Sequence, residues 1–209
     1  MIIYDLFAGT GSATKAFEDA GHTVISVELD AGFKATLHAD VTKLRAQDLI
    51  EKYGQPDFIW ASPPCTCFSV AAIGRHWISG GIKPEPRTDA AKAAEKTVKA
   101  TLKLIKALNP TSGWLIENPR GMLRKLPVLA KQPRHTVTYC QYGDDRQKPT
   151  DIWGVVPNWV PREMCMPGDK CHESAPRGST GGTQGRANAK ERSRVPYELG
   201  HEIMIAIGG

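Results

Sequence analysis

Two consecutive prolines, Pro63 and Pro64, constrain the fold of this chain more than any other feature. They follow an apolar run at residues 58–61, and proline has no N–H to donate to a sheet, so a strand must end before them. In an open α/β sheet, the carboxyl end of a strand lies at the edge where ligands bind. The next residue is a thiol. The sequence therefore predicts that Cys65 faces a cleft, although a free cysteine is often only an inert buried residue.

The beginning of the chain has the pattern strand, glycine turn and helix. An apolar run at residues 2–8 leads into glycines 9 and 11, which are followed by apolar residues at helical spacing. Glu28 lies about 17 residues beyond Gly11, near the spacing of an acid that binds a ribose hydroxyl. Thr14 replaces the third glycine of the dinucleotide fingerprint, and no phosphate-loop lysine is present. S-adenosylmethionine, a nucleoside ligand without a pyrophosphate, fits this pattern, and a simple tight turn is the alternative.

A second strand ends at a proline in the same way. The apolar run at 113–118 stops at Pro119 and carries Glu117 and Asn118 at its end. Because the carboxyl ends of parallel strands meet at one edge of a sheet, we expect Glu117 to face the same cleft as the thiol.

The other patterns complete an α/β fold. They predict a short third strand ending at 39–41, a helix over 42–53 that Asp40 or Thr42 would cap, a long mobile loop at 68–88, a lysine-faced helix at 88–108, a β-hairpin from 135–140 and 151–156, and a terminal helix from Pro196. We expect a Rossmann-like, mostly parallel sheet with helices on both faces, a C-terminal antiparallel hairpin and a small irregular insertion. The expected division is a catalytic and cofactor-binding domain at 1–156, a basic irregular segment at 157–193 and a returning helix at 194–209.

Composition limits the classes of partner and compartment. Lys and Arg number 27 against 22 Asp and Glu, a formal charge of +5, which is compatible with a polyanion partner without demonstrating one. The five cysteines are an odd number without a secretory spacing, and no apolar run approaches the roughly 20 residues that span a bilayer. We expect a cytoplasmic monomer that does not enter a membrane.

In chain order, these residues resemble the motifs of the DNA cytosine-5 methyltransferase family, in a compact, phage-type form. The resemblance covers most of residues 2–155 and returns at 194–207. Asp5, Phe7, Ala8, Gly9, Thr10 and Gly11 resemble the cofactor turn, Glu28 the ribose-binding acid, Asp40 the adenine-contacting acid, Pro63-Pro64-Cys65 the nucleophile motif and Glu117-Asn118 the Glu-Asn pair. The resemblance implies a methyltransferase fold with S-adenosylmethionine bound by the turn, the two acids and Pro63.

Two departures from the family pattern affect the site. The Gln-x-Arg-x-Arg motif would fall on residues 146–150, where only Lys148 keeps a cation at a matching position. The region of about 40 residues before the terminal helix is also much smaller than the family's target recognition domain. Specificity for a DNA sequence would then come from short loops.

The resemblance implies methylation of cytosine in double-stranded DNA. The Cys65 thiolate would attack C6 of a flipped base, Glu117 would hold the N3 side, and Lys148 would lower the pKa of the thiol. We expect the nucleic acid to contact Pro64, Ser69, Arg75, Asn118 and Arg120. The alternatives are a cytosine-5 methyltransferase of RNA or another enzyme that modifies pyrimidine C5, and a silent relative that binds nucleic acid without catalysis.

The remaining cysteines allow several interpretations. Cys67 could form a C-x-C pair with the predicted nucleophile. We predict no catalytic metal, but Cys165, Cys171 and His172, with Cys140 as a fourth ligand, could bind a structural zinc ion. Their spacing matches no standard zinc finger, so ordinary reduced thiols and a surface histidine are the alternative.

Overall fold

One large β-sheet organises the chain, in a computed structural model that describes residues 1–78, 83–166, 168–172 and 188–208. The strands are β1 (Ile2–Leu6), β2 (Thr23–Glu28), β3 (Leu37–His38), β4 (Phe58–Ala61), β5 (Trp77–Ile78), β6 (Glu85–Pro86), β7 (Gly113–Pro119), β8 (Arg134–Thr138) and β9 (Pro149–Val155). The main sheet has the order β3-β2-β1-β4-β7-β9-β8, and β5 and β6 form a separate ribbon. Neighbours from β3 to β7 are parallel, whereas β9 is antiparallel to both β7 and β8. The predicted mostly parallel sheet and the hairpin are confirmed.

Helices cover both faces of this sheet, as the sequence predicts. They are α1 (Lys15–Asp19), α2 (Ala46–Tyr53), α3 (Ile73–His76), α4 (Asp89–Leu108), α5 (Ala189–Ser193) and α6 (Tyr197–Ala206). In β4, Phe58 and Trp60 point to the face covered by α1 and α6, and Ile59 and Ala61 to the face covered by α2 and α4. Both faces of β4 are therefore buried, which explains why its sequence is a continuous apolar run.

Two predicted elements are displaced in the structure. The third strand is Leu37–His38, earlier than the predicted end at 39–41, and the helix predicted over 42–53 divides in two. Asp40 caps only a 3-10 turn at Val41–Lys43, after which the backbone is extended at Leu44 and the regular helix begins at Ala46. The Asp40 side chain accepts the N–H of Thr42, which ends the strand and starts the turn at once.

The segment 68–88 is more ordered than the predicted mobile loop, over the part that the structure describes. The Trp77 side chain is buried, its indole N–H donates to the carbonyl of Cys67 at 2.7 Å, and its ring stacks on Phe68. His76 is also buried and lies 2.7 Å from the hydroxyl of Thr88, between Nδ1 and Oγ1. The frequent glycines and prolines obscured these two anchors, and residues 79–82 lie outside the described residues.

The end of the described chain returns to its beginning. Helix α6 packs on α1, and the backbone N–H of Val195 donates to Oγ of Ser12 at 3.0 Å. A β-carbon on Gly200 would lie 2.6 Å from the carbonyl oxygen of Ala13, so at this glycine α6 closely approaches the turn that leads into α1. In the expected irregular segment at 157–193, the described residues include one helix, α5, which Asn188 caps. None of the helices in the described ranges is long and apolar enough to cross a membrane.

Candidate active site

The turn that follows β4 presents the thiol of Cys65 at the carboxyl edge of the sheet. The carbonyl of Pro63 accepts an N–H from the side-chain amide of Asn118 at 2.8 Å. The carbonyl of Cys65 accepts the backbone N–H groups of Phe68 and Ser69 at 2.9 and 3.0 Å. These bonds fix the backbone on both sides of a half-buried thiol, while Pro64 is exposed.

Asn118 supports this turn from the neighbouring strand. Its side chain is completely buried, and its Oδ1 has no hydrogen-bond partner among the described residues. The amide N–H of Asn118 holds Pro63, and its contact with the substrate stays a prediction. Proline at 63 and 64 explains the need for such a clamp, since neither residue can donate a backbone N–H of its own.

The turn that follows β7 is hydrogen-bonded to the turn that carries Cys65. Ser69 pairs with Gly121 in an isolated β-bridge, and the N–H of Met122 donates to the carbonyl of Phe68 at 2.7 Å. A β-carbon at Gly121 would lie 2.1 Å from that same carbonyl oxygen, so only glycine allows this approach. The predicted substrate-contact residue Ser69 thus lies where the two turns meet.

Glu117 faces the cleft from the end of β7, next to the strand that leads to Cys65. It is 6% exposed, and its carboxylate accepts the hydroxyl of Tyr139 at 2.9 Å. Tyr139 is completely buried, and its pKa is raised well above the usual value by burial and by the charge of Glu117. The sequence analysis missed Tyr139, because only the pairing of β9 between β7 and β8 brings it beside the carboxylate.

Lys148 completes the cluster and is almost completely buried. Its ammonium lies 4.4 Å from the centroid of the Tyr139 ring and donates to the carbonyl of Arg192 at 2.9 Å. The backbone of Lys148 has a φ of 28°, a strained value for a side chain of this size. Burial lowers its pKa, an effect that the charge of Glu117 opposes.

Neighbouring groups shift the pKa of the Cys65 thiol in opposite directions. Burial is the main cause that raises its pKa, and the negative charge of Glu117 raises it further. The positive charges of Lys148 and Arg192 lower it. Arg192 comes from α5, more than 100 residues along the chain, and no local motif identified it.

Arg146, at the start of the divergent motif, points away from the cleft. Its guanidinium is 3% exposed, forms an ion pair with Asp144 and donates to the backbone carbonyls of Glu191, Arg192 and Arg194. Arg146 therefore attaches the returning segment to the hairpin turn. Two residues further on, the ammonium of Lys148 donates to the carbonyl of Arg192 as well, so both cations hold the same segment.

The glycine turn lies at the same edge of the sheet, after β1. Gly9 and Gly11 have φ values of 51° and 71°, which favour glycine, and the N–H of Gly9 donates to Oε2 of Glu28 at 2.9 Å. Oε1 of Glu28 accepts the next two backbone N–H groups, at 2.8 and 3.0 Å. A β-carbon on Gly11 would meet no atom of the described chain within 4 Å, so the turn opens onto free space.

The two remaining acids of the predicted cofactor site differ in exposure. Asp5 is completely buried beneath the turn, where its Oδ2 accepts the hydroxyl of Thr14 at 2.8 Å and burial raises its pKa to about 7. Its Oδ1 has no partner within the described part of the chain. Asp40 is more accessible, and hydrogen bonds from Thr42 hold its pKa below the usual value. Thr14, at the position of the missing third glycine, thus supports the turn from below.

Comparison with known proteins agrees with this geometry. The family model for C-5 cytosine-specific DNA methylase matches residues 1–127, more than half of the chain. The chain belongs to this family. A curated relative from Frog virus 3 (isolate Goorha), a probable DNA (cytosine-5)-methyltransferase, is 29% identical over 222 residues, which cover 99% of this chain and 98% of the relative.

Solved structures confirm the methyltransferase fold of this cytosine-5 methylase. The Entamoeba histolytica methyltransferase EhMeth superposes with a TM-score of 0.54 at 12% identity, over 79% of this chain and 57% of that one. The S. pombe Dnmt2 methyltransferase superposes with a TM-score of 0.51 at 16% identity, over 74% of this chain and 50% of that one. This methylase thus spans about half the length of these structures.

Two predicted contact residues of the methylase lie on its surface. Arg75 is exposed on α3, in the segment that follows Cys65, and Arg120 is exposed directly after β7. The backbone N–H of Arg120 donates to the carbonyl of Pro149 at 2.8 Å, which fixes the backbone at this strand end. Both cations follow a strand end that carries a predicted catalytic group.

The reactivity of Cys65 in the methylase tests the electrostatics of the cleft. An ordinary thiol is half ionised at a pH of about 8.5, and only the thiolate reacts with iodoacetamide. Because the pKa of Cys65 is raised, we expect the alkylation rate of Cys65, measured in a Cys67→Ser background, to reach its midpoint at a higher pH than that. Lys148→Met should move this pH profile further to alkaline values, because a cation that lowers the pKa is removed. Mass spectrometry of the labelled peptide measures both profiles.

The matched control is Lys106→Met, on the exposed side of α4, which should leave the profile unchanged. A profile for Lys148→Met that coincides with the wild-type profile would show that the Lys148 charge does not act on the thiol.

Proposed function

We propose that this chain transfers a methyl group from S-adenosylmethionine to C5 of cytosine in double-stranded DNA, through a covalent bond between Cys65 and C6. The observation that carries the proposal is the convergence of Cys65 and Glu117 at one edge of the sheet, where the charge of Glu117 acts on the thiol. A cysteine fixed by a proline turn is available as a nucleophile, and a buried carboxyl group beside it can bind the ring of the base.

The glycine turn supports S-adenosylmethionine as the methyl donor. Glu28 accepts three backbone N–H groups on two oxygens, which leaves acceptor capacity for ribose hydroxyls. We propose that the open turn at Gly9, Thr10 and Gly11, with Phe7, Ala8 and Pro63 around it, accommodates the nucleoside, and that Asp40 accepts from its amine. The burial of Asp5 favours a supporting role beneath the turn over direct contact with the cofactor.

Cys65 and Glu117 would have separate roles in the reaction. Cytosine C5 is a poor nucleophile, so the Cys65 thiolate attacks C6 and moves electron density to C5. Glu117, held by Tyr139, binds the N3 edge of the ring while this density shifts. Bound S-adenosylmethionine supplies the methyl group from its sulfonium centre. Loss of the C5 proton to solvent and cleavage of the bond between Cys65 and C6 then restore the thiolate.

Double-stranded DNA as the substrate requires that the target base leaves the duplex, at a cost of a few kcal/mol. We propose that Arg75 and Arg120 contact phosphates beside the cleft, with Pro64 and Ser69 near the base. Arg192, whose charge reaches Cys65, is a candidate for the cation that the family motif places at 146–150. We also propose that the chain acts as a monomer. Its parts are a catalytic and cofactor-binding domain at 1–156, a basic segment at 157–193 and a returning helix at 194–209.

Transfer of a labelled methyl group tests the function. We expect label from S-adenosylmethionine to enter duplex DNA as 5-methylcytosine, and not to enter DNA in which every cytosine already carries the C5 methyl group. Base analysis after digestion identifies the product.

A structured RNA offered in the same assay separates the alternatives. Label in RNA alone would replace DNA with RNA as the substrate. Binding of both DNA and S-adenosylmethionine without transfer would identify a silent relative, which the engagement of Arg146 with Asp144 and the returning segment, away from the cleft, would then explain.

A further inference from the structure

Four metal-binding side chains meet away from the catalytic cleft. Sγ of Cys140, Sγ of Cys165, Sγ of Cys171 and a ring nitrogen of His172 all lie within 4.8 Å of one another. Cys140 comes directly after Tyr139, and the other three come from the irregular segment that follows the sheet. None of the three cysteines forms a disulfide bond. Among the described residues, this is the one cluster with a complete set of zinc ligands.

We propose that Cys140, Cys165, Cys171 and His172 bind one structural Zn²⁺ ion. The closest pairs of ligand atoms are 3.3 Å apart for Cys140 and Cys165, 3.5 Å for Cys140 and Cys171, 3.5 Å for Cys171 and His172, and 3.7 Å for Cys165 and His172. A tetrahedron with Zn–S bonds of about 2.3 Å and a Zn–N bond of about 2.0 Å has edges of roughly 3.5–3.8 Å. The four atoms are therefore already close to the separations that a tetrahedral ion requires.

The surroundings of the cluster resemble the second shell of a zinc site. The side-chain amide of Gln147 donates to Sγ of Cys165 at 3.2 Å, and that of Gln141 donates to Sγ of Cys171 at 3.5 Å. The backbone N–H of Cys165 donates to Oγ1 of Thr138 at 3.0 Å, which holds the ligand segment on the end of β8. Neutral donors of this kind suit sulfur atoms that carry negative charge in a metal complex.

Zinc binding would release protons and close the cluster. Three thiols lose their protons to form thiolates, and neutral His172 binds through its ring nitrogen, so one Zn²⁺ gives a complex with a charge of −1. All four positions are then filled by the protein, as in a structural site, and no position remains for a water or a substrate.

The ion would attach the beginning of the basic segment to the catalytic hairpin. The described residues at 157–166 and 168–172 contain no helix or strand, and few of their side chains are buried. Cys140 follows Tyr139 in the chain, and Tyr139 donates to Glu117, so one ligand of the ion is one residue from the side chain that holds the predicted catalytic carboxylate. We infer that the metal fixes the entry to the short recognition region relative to the cleft.

Metal analysis of the full chain, purified without chelator, tests the site independently of any activity. We expect about one zinc ion per chain by elemental mass spectrometry, as a closed four-ligand site requires. After replacement of zinc with Co²⁺, we expect the visible absorption of a tetrahedral cobalt ion together with thiolate-to-metal charge transfer.

Cys165→Ser and His172→Ala should each reduce the bound zinc at least several-fold, whereas Cys67→Ser should leave it unchanged. Because Cys67 is also a buried free cysteine but lies outside the cluster, it is the matched control. If the cluster variants do not fold, the cobalt spectrum of the wild-type chain decides. A wild-type chain that binds neither zinc nor cobalt, or that joins Cys140 to Cys165 in a disulfide when purified under reducing conditions, would overturn the proposal.

Discussion

Cys65→Ala will reduce kcat for methyl transfer by on the order of 10⁶-fold, the scale of loss seen when a catalytic nucleophile is removed. Without the thiolate, no electron density reaches C5, and Glu117 cannot supply a bond to C6. DNA containing 5-fluorocytosine provides a second measurement. Because the fluorine at C5 cannot leave as a proton, the wild-type chain should remain joined to this DNA, and the Cys65→Ala variant should not.

Cys67→Ala is the control for this experiment. Cys67 lies two residues away and is 6% exposed, and its carbonyl, not its thiol, accepts the indole N–H of Trp77. The substitution therefore keeps that hydrogen bond, and we expect transfer within a few-fold of wild type. A covalent adduct that persists in Cys65→Ala and disappears in Cys67→Ala would move the nucleophile to the second cysteine.

Arg146→Met will lower the free energy of unfolding by roughly 3–5 kcal/mol, the cost of removing one partner of a buried ion pair. Asp144 would keep its charge without the guanidinium that neutralises it, and three backbone carbonyls of the returning segment would lose a donor. Urea denaturation followed by circular dichroism measures the change.

Arg45→Met is the comparison, because Arg45 also faces an acid but is largely exposed, 3.9 Å from Asp48. Its effect should remain below about 1 kcal/mol, as for other surface ion pairs. An Arg146→Met variant with wild-type stability and no methyl transfer would contradict the structural role and place the guanidinium in the base pocket.

The parts of the fold that the sequence predicted well depend on local chemistry. Proline has no N–H to donate to a sheet, so Pro63 marked the end of β4 and Pro119 the last residue of β7, and the parallel sheet then brought Cys65 and Glu117 to one edge. The amphipathic period located α4, and the structure adds that Thr88 caps it by accepting the N–H of Ala91.

The parts that the sequence did not predict depend on contacts between distant segments. Tyr139 reaches Glu117 only because β9 lies between β7 and β8. Arg192 is held beside Lys148 because its backbone carbonyl accepts the ammonium of Lys148, and no sequence pattern indicates such a bond. Asn118 belongs to a recognisable pair of residues, yet its burial beneath Pro63 depends on the turn of a neighbouring strand. Motif position identified Asn118 and Lys148 as important without indicating which way their side chains point.

The packing of α6 on α1 affects how the chain is made. Phe17 on α1 and Trp60 on β4 belong to the same apolar cluster as Leu199 and Ile203 on α6. A ribosome adds about 5–20 residues per second, so roughly 10–40 s separate the synthesis of the first helix from that of the last. During that interval the face of the growing sheet that α6 completes is only partly covered by α1, which makes chaperone binding to the nascent chain advantageous.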